Sequence, residues 1–102
     1  MVVKFRTDDL LKAYQSVAFG MRLWNEKIAN LYIKRVDLLK AAKDAHELLV
    51  AHTFGFEGKA KGTPLAGKFS MKLDGFHRLI LSFEDDKRTI AIVEEVSKHY
   101  GD

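Results

Sequence analysis

The sequence predicts a single α+β domain over residues 1–102, in which an N-terminal strand and two helices pack on one face of a mainly antiparallel sheet. Three observations lead to this fold class. Apolar residues recur at helical spacing in the first half of the chain, and apolar and polar residues alternate at strand spacing in the second half. A glycine-rich stretch separates the two halves. The length suffices for one hydrophobic core and is too short for two.

The first half is predicted to form one short strand and two helices. Val2–Phe5 is apolar and β-branched, which favours an opening strand. Thr7 offers a capping oxygen to a first helix, which Gly20 is placed to end. Asn25 can cap a long second helix that is expected to end near Leu49. The apolar stripe of this second helix comprises Ile28, Leu31, Tyr32, Val36, Leu39 and Ala42.

The second half is predicted to form three antiparallel strands. Residues 51–66 are rich in glycine and contain the chain's only proline, so this stretch is predicted to be a loop. The strands are expected at about 68–73, 76–83 and 88–96, with turns at Asp74-Gly75 and at residues 84–87.

The first turn decides which side chains share a face of this hairpin. A two-residue turn would pair Leu73 with Phe76 and would place lysines beside the core. A three-residue loop over residues 74–76 pairs Leu73 with His77 instead and collects the large apolar residues on one face. We predict the three-residue loop. The residues left on the face away from the helices are then Lys68, Ser70, Lys72 and Arg78.

The third strand extends the same pattern if residues 84–87 form the second turn. Leu81 then faces Ile90, and Leu79 faces Ile92, so both isoleucines are expected beneath the helices. Ala91, Val93 and Glu95 are expected on the opposite face, with His99 and Tyr100 arriving at its edge.

Composition excludes several classes of protein. The chain has 17 Lys and Arg against 14 Asp and Glu, a net charge of +3, so a nucleic-acid surface would have to concentrate its positive charge. The absence of cysteine excludes disulfides and thiolate catalysis. His46 and His52 lack the spacing of metal ligands, so no metal site is predicted. No membrane span or signal peptide is visible, and we expect a cytoplasmic protein.

Each candidate residue also has a simpler structural explanation. A lysine on the solvent side of a sheet is usually only solvated, or it protects an edge strand. Arg78 has a structural alternative in an ion pair with Glu95, and His77 fits a histidine at the edge of the core. Lys59 and Lys61 lie between glycines, where they fit either a mobile loop or contact with phosphate.

The order of these features resembles the RelE/ParE toxin superfamily of toxin–antitoxin modules, and within it the HigB, or plasmid-maintenance killer, branch. A short strand, two helices and a glycine-rich basic loop precede "GKFSMKLDGFHRLIL" and then "IAIVEEVSKHYGD". The closing histidine–tyrosine pair is also similar to the family, although many members have the reverse order. The residues that match the family pattern are Leu65, Gly67, Phe69, Ser70, Leu73, His77, Arg78 and Leu79.

The resemblance implies a toxin that cleaves mRNA in the ribosomal decoding site without a metal or other cofactor. Such an enzyme must activate the RNA 2′-hydroxyl, stabilise the charge that develops on the phosphate and protonate the leaving oxygen. Arg78 would bind the phosphate, and Lys59, Lys61 or Lys68 would position it or activate the hydroxyl. His99 or Tyr100 would transfer the proton to the leaving oxygen or stack on a base. The implied residues are Arg78, Lys68, His99 and Tyr100 for catalysis, and Lys59, Lys61 and Lys72 for RNA binding.

The resemblance also implies partners and leaves other functions open. The expected partners are the ribosome, mRNA and a cognate antitoxin, of a helix-turn-helix, HigA-like type. Contact with operator DNA is expected only through the antitoxin complex. ParE-like members of the superfamily inhibit DNA gyrase with the same fold and no RNA cleavage, and a degenerate toxin could serve only as a repressor partner.

Overall fold

The computed structural model describes residues 1–58 and 67–98. In this part of the chain the strands are β1 (Val2–Phe5), β2 (Glu57–Gly58), β3 (Phe69–Lys72), β4 (His77–Phe83) and β5 (Ile90–Lys98). The helices are α1 (Asp8–Gln15), α2 (Val17–Leu23), α3 (Glu26–Ala41) and α4 (Ala45–Val50), followed by a 3₁₀ turn at Thr53–Gly55. The strands form one sheet in the order β1-β5-β4-β3-β2, with β1 parallel to β5 and the other neighbours antiparallel. The predicted α+β class is confirmed.

Both predicted helical segments are divided by a capping residue. The Ser16 hydroxyl accepts a hydrogen bond from the backbone N–H of Phe19 at 3.2 Å, so α1 ends and α2 begins at this residue. Asp44 caps α4 in the same way, since its carboxylate accepts a hydrogen bond from the backbone N–H of Glu47 at 3.0 Å. The prediction of one helix running to Leu49 is therefore wrong, because α3 ends at Ala41. Among the described residues, no helix is long and apolar enough to cross a bilayer.

Gly20 lies inside α2 and does not end a helix as predicted. A Cβ atom at this position would stand 2.9 Å from the Cβ of Ala29 in α3. The glycine therefore allows α2 and α3 to approach closely. The predicted caps are confirmed, since the side chains of Thr7 and Asn25 accept backbone hydrogen bonds at the starts of α1 and α3.

The core lies between the helices and one face of the sheet, which we call the inner face. Tyr32 of α3 is fully buried there, and its hydroxyl donates to the backbone carbonyl of Leu10 at 2.7 Å. Its neighbours come from α3 at helical spacing and from the strands at alternating positions. The other buried members of the cluster include Ile28, Val36, Leu39, Leu48, Phe56, Met71, Leu79, Leu81 and Val93.

The β3–β4 hairpin has the predicted register. The backbone N–H of Leu73 donates to the carbonyl of His77 at 3.0 Å, and Met71 lies opposite Leu79. One carboxylate oxygen of Asp74 accepts from the backbone N–H groups of Phe76 and His77 at 2.9 and 2.8 Å. Asp74 thereby holds the three-residue loop closed, and the alternation of apolar residues is satisfied on the inner face.

The predicted register between β4 and β5 is wrong. Leu81 lies opposite Val93 and Phe83 opposite Ala91, so Val93 and Ala91 face the core. Ile90 and Ile92 therefore lie on the other face. The turn is longer than four residues because the Asp85 carboxylate binds the backbone N–H groups of residues 89 and 90. A β-bulge then shifts the register again between Ile80 and Leu81.

β2 lies in the stretch that was predicted to be a loop. Glu57 pairs with Ser70 and Gly58 pairs with Phe69, so β2 adds an edge strand beside β3. Phe56 immediately before it is fully buried and stacks on Phe69 with ring centroids 5.5 Å apart. This anchor fixes the chain at the edge of the sheet.

Candidate functional site

The face of the sheet turned away from the helices, which we call the outer face, carries the cations that the hairpin register predicted for it. Lys72 and Arg78 lie directly opposite each other near the β3–β4 turn. Lys68 immediately precedes β3 at the far end of that strand. Between them Ser70 and Ile80 form a buried centre, 2% and 1% exposed. This face was predicted to be open, but its centre is covered.

Arg78 and Lys72 occupy neighbouring positions but point in different directions. Nη1 of Arg78 donates to the backbone carbonyls of Asp74 and His77 at 2.9 and 3.2 Å, so its guanidinium lies over the turn. The stem of Lys72 lies against Gly55, where a Cβ would stand 3.3 Å from the Lys72 Cε. Divergence reduces the repulsion that two like charges on facing positions would suffer.

Arg78 forms no ion pair with Glu95 in the part of the chain that the structure describes. The structural alternative for Arg78 is therefore a bond to the turn backbone and not the ion pair considered from the sequence. Among the described residues, Nη1 is the one nitrogen of this guanidinium that makes hydrogen bonds, and an arginine carries five N–H donors in all.

Lys68 belongs to a cluster that sequence reasoning did not find. Glu94 of β5 accepts a hydrogen bond from Ser82 at 2.6 Å through Oε2 and one from Arg6 at 2.8 Å through Oε1. Lys68 Nζ lies 3.8 Å from the same Oε1. Neither Arg6 nor Glu94 was a candidate, because Arg6 reaches this face only through the parallel pairing of β1 with β5. Glu94 reaches it through the β-bulge.

The Glu94 carboxylate is held in its charged form. Burial raises the pKa of Glu94, but the hydrogen bonds from Ser82 and Arg6 and the charge of Lys68 outweigh burial, so the pKa lies below its ordinary value. The carboxylate side chain is only 8% exposed. It can therefore hold the two cations at one place on the outer face.

Glu57 is a second functional candidate that the sequence reasoning missed. It lies on β2 opposite Ser70 and is exposed to solvent. Since Phe56 points into the core, alternation along the strand directs Glu57 to the outer face. The register places its backbone roughly 12 Å from that of Arg78, within reach of a shared phosphate group for two long side chains. The one sequence feature that pointed to Glu57 is that this carboxylate directly follows the aromatic residue Phe56.

His77 is the histidine at the edge of the core that the sequence predicted. Its Nδ1 lies 2.9 Å from a carboxylate oxygen of Asp74, and the side chain is mostly buried. Burial raises the pKa of Asp74, but bonds from the Phe76 and His77 backbone and from the His77 ring outweigh it, and the pKa is lowered. His77 thus supports the turn over which Arg78 lies.

Four predicted site residues lie outside the described residues: Lys59, Lys61, His99 and Tyr100. Within residues 1–58 and 67–98, no group of three or more histidines and carboxylates is arranged to hold a metal ion. The described part of the site is therefore a surface of cations and carboxylates, suited to binding a phosphodiester and to moving a proton from a hydroxyl.

The fold is similar to that of solved toxin structures. No protein-family model and no curated protein matches the sequence. The chain aligns with a YoeB/ParE toxin from Agrobacterium tumefaciens at a TM-score of 0.60 and 16% identity, over 98% of this chain and 100% of that one. It aligns with the heterotetrameric YoeB–YefM toxin–antitoxin complex from Staphylococcus aureus at 0.58 and 17%, over 98% of each chain. A further YoeB–YefM complex from Staphylococcus aureus gives 0.51 and 18%, over 98% of each chain. At these identities the similarity shows a shared fold.

Proposed function

We propose that this chain is the toxin of a type II toxin–antitoxin module and that it cleaves mRNA on the ribosome as an endoribonuclease. The observation that supports this proposal is the outer face, which Arg78, Lys72 and the exposed residue Glu57 share on three neighbouring strands. The fold that presents this surface is shared, over 98% of the chain, with a protein described as a YoeB/ParE toxin.

The proposed reaction is attack by an RNA 2′-hydroxyl on its own adjacent phosphate. Glu57 accepts the proton of the hydroxyl, and the new oxygen–phosphorus bond forms as the bond to the 5′-oxygen of the next nucleotide breaks. Arg78 binds the phosphate oxygens, on which negative charge increases in the transition state. The 5′-oxygen leaves with a proton, for which His99 or Tyr100 stays the predicted donor. The products are a 2′,3′-cyclic phosphate and a 5′-hydroxyl.

We further propose an antitoxin partner and a cytoplasmic site of action, where ribosomes and mRNA are found. Two of the similar structures are complexes of YoeB with YefM, so a bound antitoxin is compatible with this fold. The HigB branch and the HigA-like, helix-turn-helix type of antitoxin stay predictions from the sequence. Lys59 and Lys61 stay predicted RNA contacts on the same grounds.

The proposal is tested by expressing the chain without an antitoxin and by measuring cleavage of ribosome-bound mRNA with the purified protein. Wild type should arrest growth and cleave. Arg78→Ala should lower cleavage by ~10²–10³-fold, since one preorganised charge donor is lost. Glu57→Gln should lower it by ~10²–10⁴-fold through loss of the base. Lys4→Ala is the matched control, because Lys4 lies on the outer face of β1 and pairs with Glu84.

Two outcomes would contradict the nuclease proposal. If Arg78→Ala arrests growth as strongly as wild type at equal expression, and the protein blocks supercoiling by DNA gyrase, the ParE-like function is the correct one. If soluble wild-type protein accumulates without growth arrest or cleavage, the chain is not an active toxin. Unfolding temperatures of all variants must be measured beside the activities, because Arg78 also holds the turn.

A further inference from the structure

Four strands of the sheet bring one polar side chain each to a single place on the outer face. Arg6 follows β1, Glu94 lies on β5, Ser82 lies on β4 and Lys68 precedes β3. Glu94 lies at the centre, and its two carboxylate oxygens accept from Ser82 and from Arg6. Because Arg6 and Lys68 both approach the same carboxylate oxygen, their charged ends lie close together.

The two cations retain hydrogen-bonding capacity in this arrangement. Arg6 uses one nitrogen, Nη1, to bind Glu94, and its side chain is 63% exposed. The 3.8 Å between Lys68 Nζ and the Glu94 carboxylate is an ion-pair distance and is too long for a hydrogen bond. Two cations share one carboxylate, so the cluster carries a net charge of +1 directed toward solvent.

The other ion pair on β1 shows what a purely structural contact looks like here. Lys4 Nζ lies 2.8 Å from the Glu84 carboxylate, one cation with one anion, and no excess charge remains. The group of Arg6, Lys68, Ser82 and Glu94, which we call the Arg6 cluster, differs from it in the second cation and in the nearly buried carboxylate. Within residues 1–58 and 67–98, Arg6 also has nitrogen donors that bind no other group.

We propose that Arg6 and Lys68, held on Glu94, form a second binding site for a phosphate of the RNA backbone. The proposal rests on the proposed ribonuclease function and assigns Lys68 to binding and not to the chemical step. Lys68 and Lys72 are roughly 13 Å apart along β3. Their side chains also diverge, Lys68 toward Glu94 and Lys72 toward Gly55, so the two lysines would contact different phosphates. A single RNA strand would therefore cross the outer face from the phosphate bound by Arg78, near Glu57, toward β1 and the Arg6 cluster.

The site is tested with a fluorescently labelled single-stranded RNA whose 2′-O-methyl sugars prevent cleavage. Binding to the full chain is followed by anisotropy between about 50 and 200 mM salt, the range in which phosphate contacts lose affinity. Arg6→Gln and Lys68→Gln should each weaken binding several-fold and lower the slope of log affinity against log salt by about one. Lys4→Gln should leave both quantities near wild type, since its charge is already neutralised by Glu84.

Three results would contradict the proposed phosphate site. The first is that the wild-type protein does not bind the oligonucleotide. The second is that Arg6→Gln and Lys68→Gln both bind it with wild-type affinity. The third is an equal loss in Lys4→Gln, which would show a general effect of net charge. Unfolding midpoints identify any variant that has lost its fold, and Lys68→Gln is the safer variant because Lys68 makes no hydrogen bond to Glu94.

Kinetics on ribosome-bound mRNA separate this proposal from the ribonuclease proposal. Arg6→Gln should raise KM with little change in kcat, whereas Arg78→Ala should lower kcat. If cleavage depends on Arg78 but is unchanged in Arg6→Gln and Lys68→Gln, the proposed second phosphate site is wrong and the ribonuclease proposal stands. If oligonucleotide binding depends on Arg6 but the wild-type protein does not cleave mRNA, the second phosphate site stands and the ribonuclease proposal is wrong.

Discussion

The guanidinium of Arg78 is fixed by the turn over which it lies. One nitrogen donates to two backbone carbonyls, so the orientation of the group is set before any ligand arrives. The planar fork of an arginine has further donors that match the geometry of phosphate oxygens. A lysine has one ammonium nitrogen on a flexible stem and lacks this planar, bidentate geometry. One side chain thus joins the hairpin to the proposed chemistry.

Leu81 and Ile92 test the register of β4 with β5. Leu81→Ala should lower the free energy of unfolding by about 2–5 kcal/mol, because the residue is fully buried and a cavity would remain. Ile92→Ala should lower it by about 1–2 kcal/mol, because Ile92 lies half-buried on the outer face. Urea unfolding of both variants measures the difference. Equal losses would indicate the register predicted from the sequence and would contradict the observed one.

At the level of elements, the contact between α2 and α3 depends on Gly20. Alanine is favoured over glycine inside a helix by about 1 kcal/mol, so helix propensity alone predicts that Gly20→Ala stabilises the protein. The new Cβ would stand 2.9 Å from the Ala29 Cβ, however, and overpacking of this kind costs about 1–3 kcal/mol. We expect a lower unfolding midpoint, measured by circular dichroism.

The matched control for Gly20→Ala is the double variant Gly20→Ala/Ala29→Gly. Moving the methyl group from one helix to the other restores the space between them, so the double variant should be more stable than the sum of the two single changes. A single Gly20→Ala variant that melts above wild type would show that α2 and α3 can separate without cost.

The elements that the sequence predicted correctly are those fixed by local chemistry. The β3–β4 hairpin follows from alternation and from the Asp74 side chain, which closes the turn within three residues. The helix boundaries at Ser16 and Asp44 were missed because the apolar periodicity continues across both caps. The β4–β5 register was missed because it depends on the Asp85 turn and on a bulge, and neither interrupts the alternation of the strand.

At the scale of the whole molecule, Glu94 links stability to pH. The pKa of Glu94 is lower in the folded protein than in the unfolded chain, where a glutamate has a pKa of about 4.3. As the pH falls, the unfolded chain therefore binds a proton at this residue before the folded protein does. The contribution of Glu94 is complete above the unfolded pKa and is lost as the pH falls through the folded pKa. We expect Glu94→Gln to be less stable than wild type at pH 7 and the two to converge in acid.

Urea unfolding between pH 7 and pH 3 measures this convergence. Glu95→Gln is the matched control, because Glu95 is the exposed neighbour of Glu94 on the same strand. A constant difference between wild type and Glu94→Gln at every pH would mean that the carboxylate does not stabilise the fold through its charge. Asp85 acts in the same direction, since the hydrogen bond from Thr89 lowers the pKa of Asp85.

The candidate site was predictable only where it depends on one hairpin. Lys68, Lys72 and Arg78 share a face because β3 and β4 are adjacent in sequence and in space. Glu57 depends on an edge strand two residues long, which no periodicity can indicate. Arg6 and Glu94 are 88 residues apart in sequence and come into contact because β1 pairs with β5, so their contact depends on the strand order of the complete fold.

The parallel pairing of β1 with β5 also sets a time order during synthesis. Arg6 and Glu94 are 88 residues apart, so at cellular rates of translation roughly 4–18 s pass between the synthesis of one and of the other. Until then β1 has no strand beside it and the Arg6 cluster does not exist. A nascent chain therefore completes its outer face only as β5 emerges. For a protein proposed to attack mRNA on ribosomes, the proposed second phosphate site would therefore be absent until β5 has been synthesised.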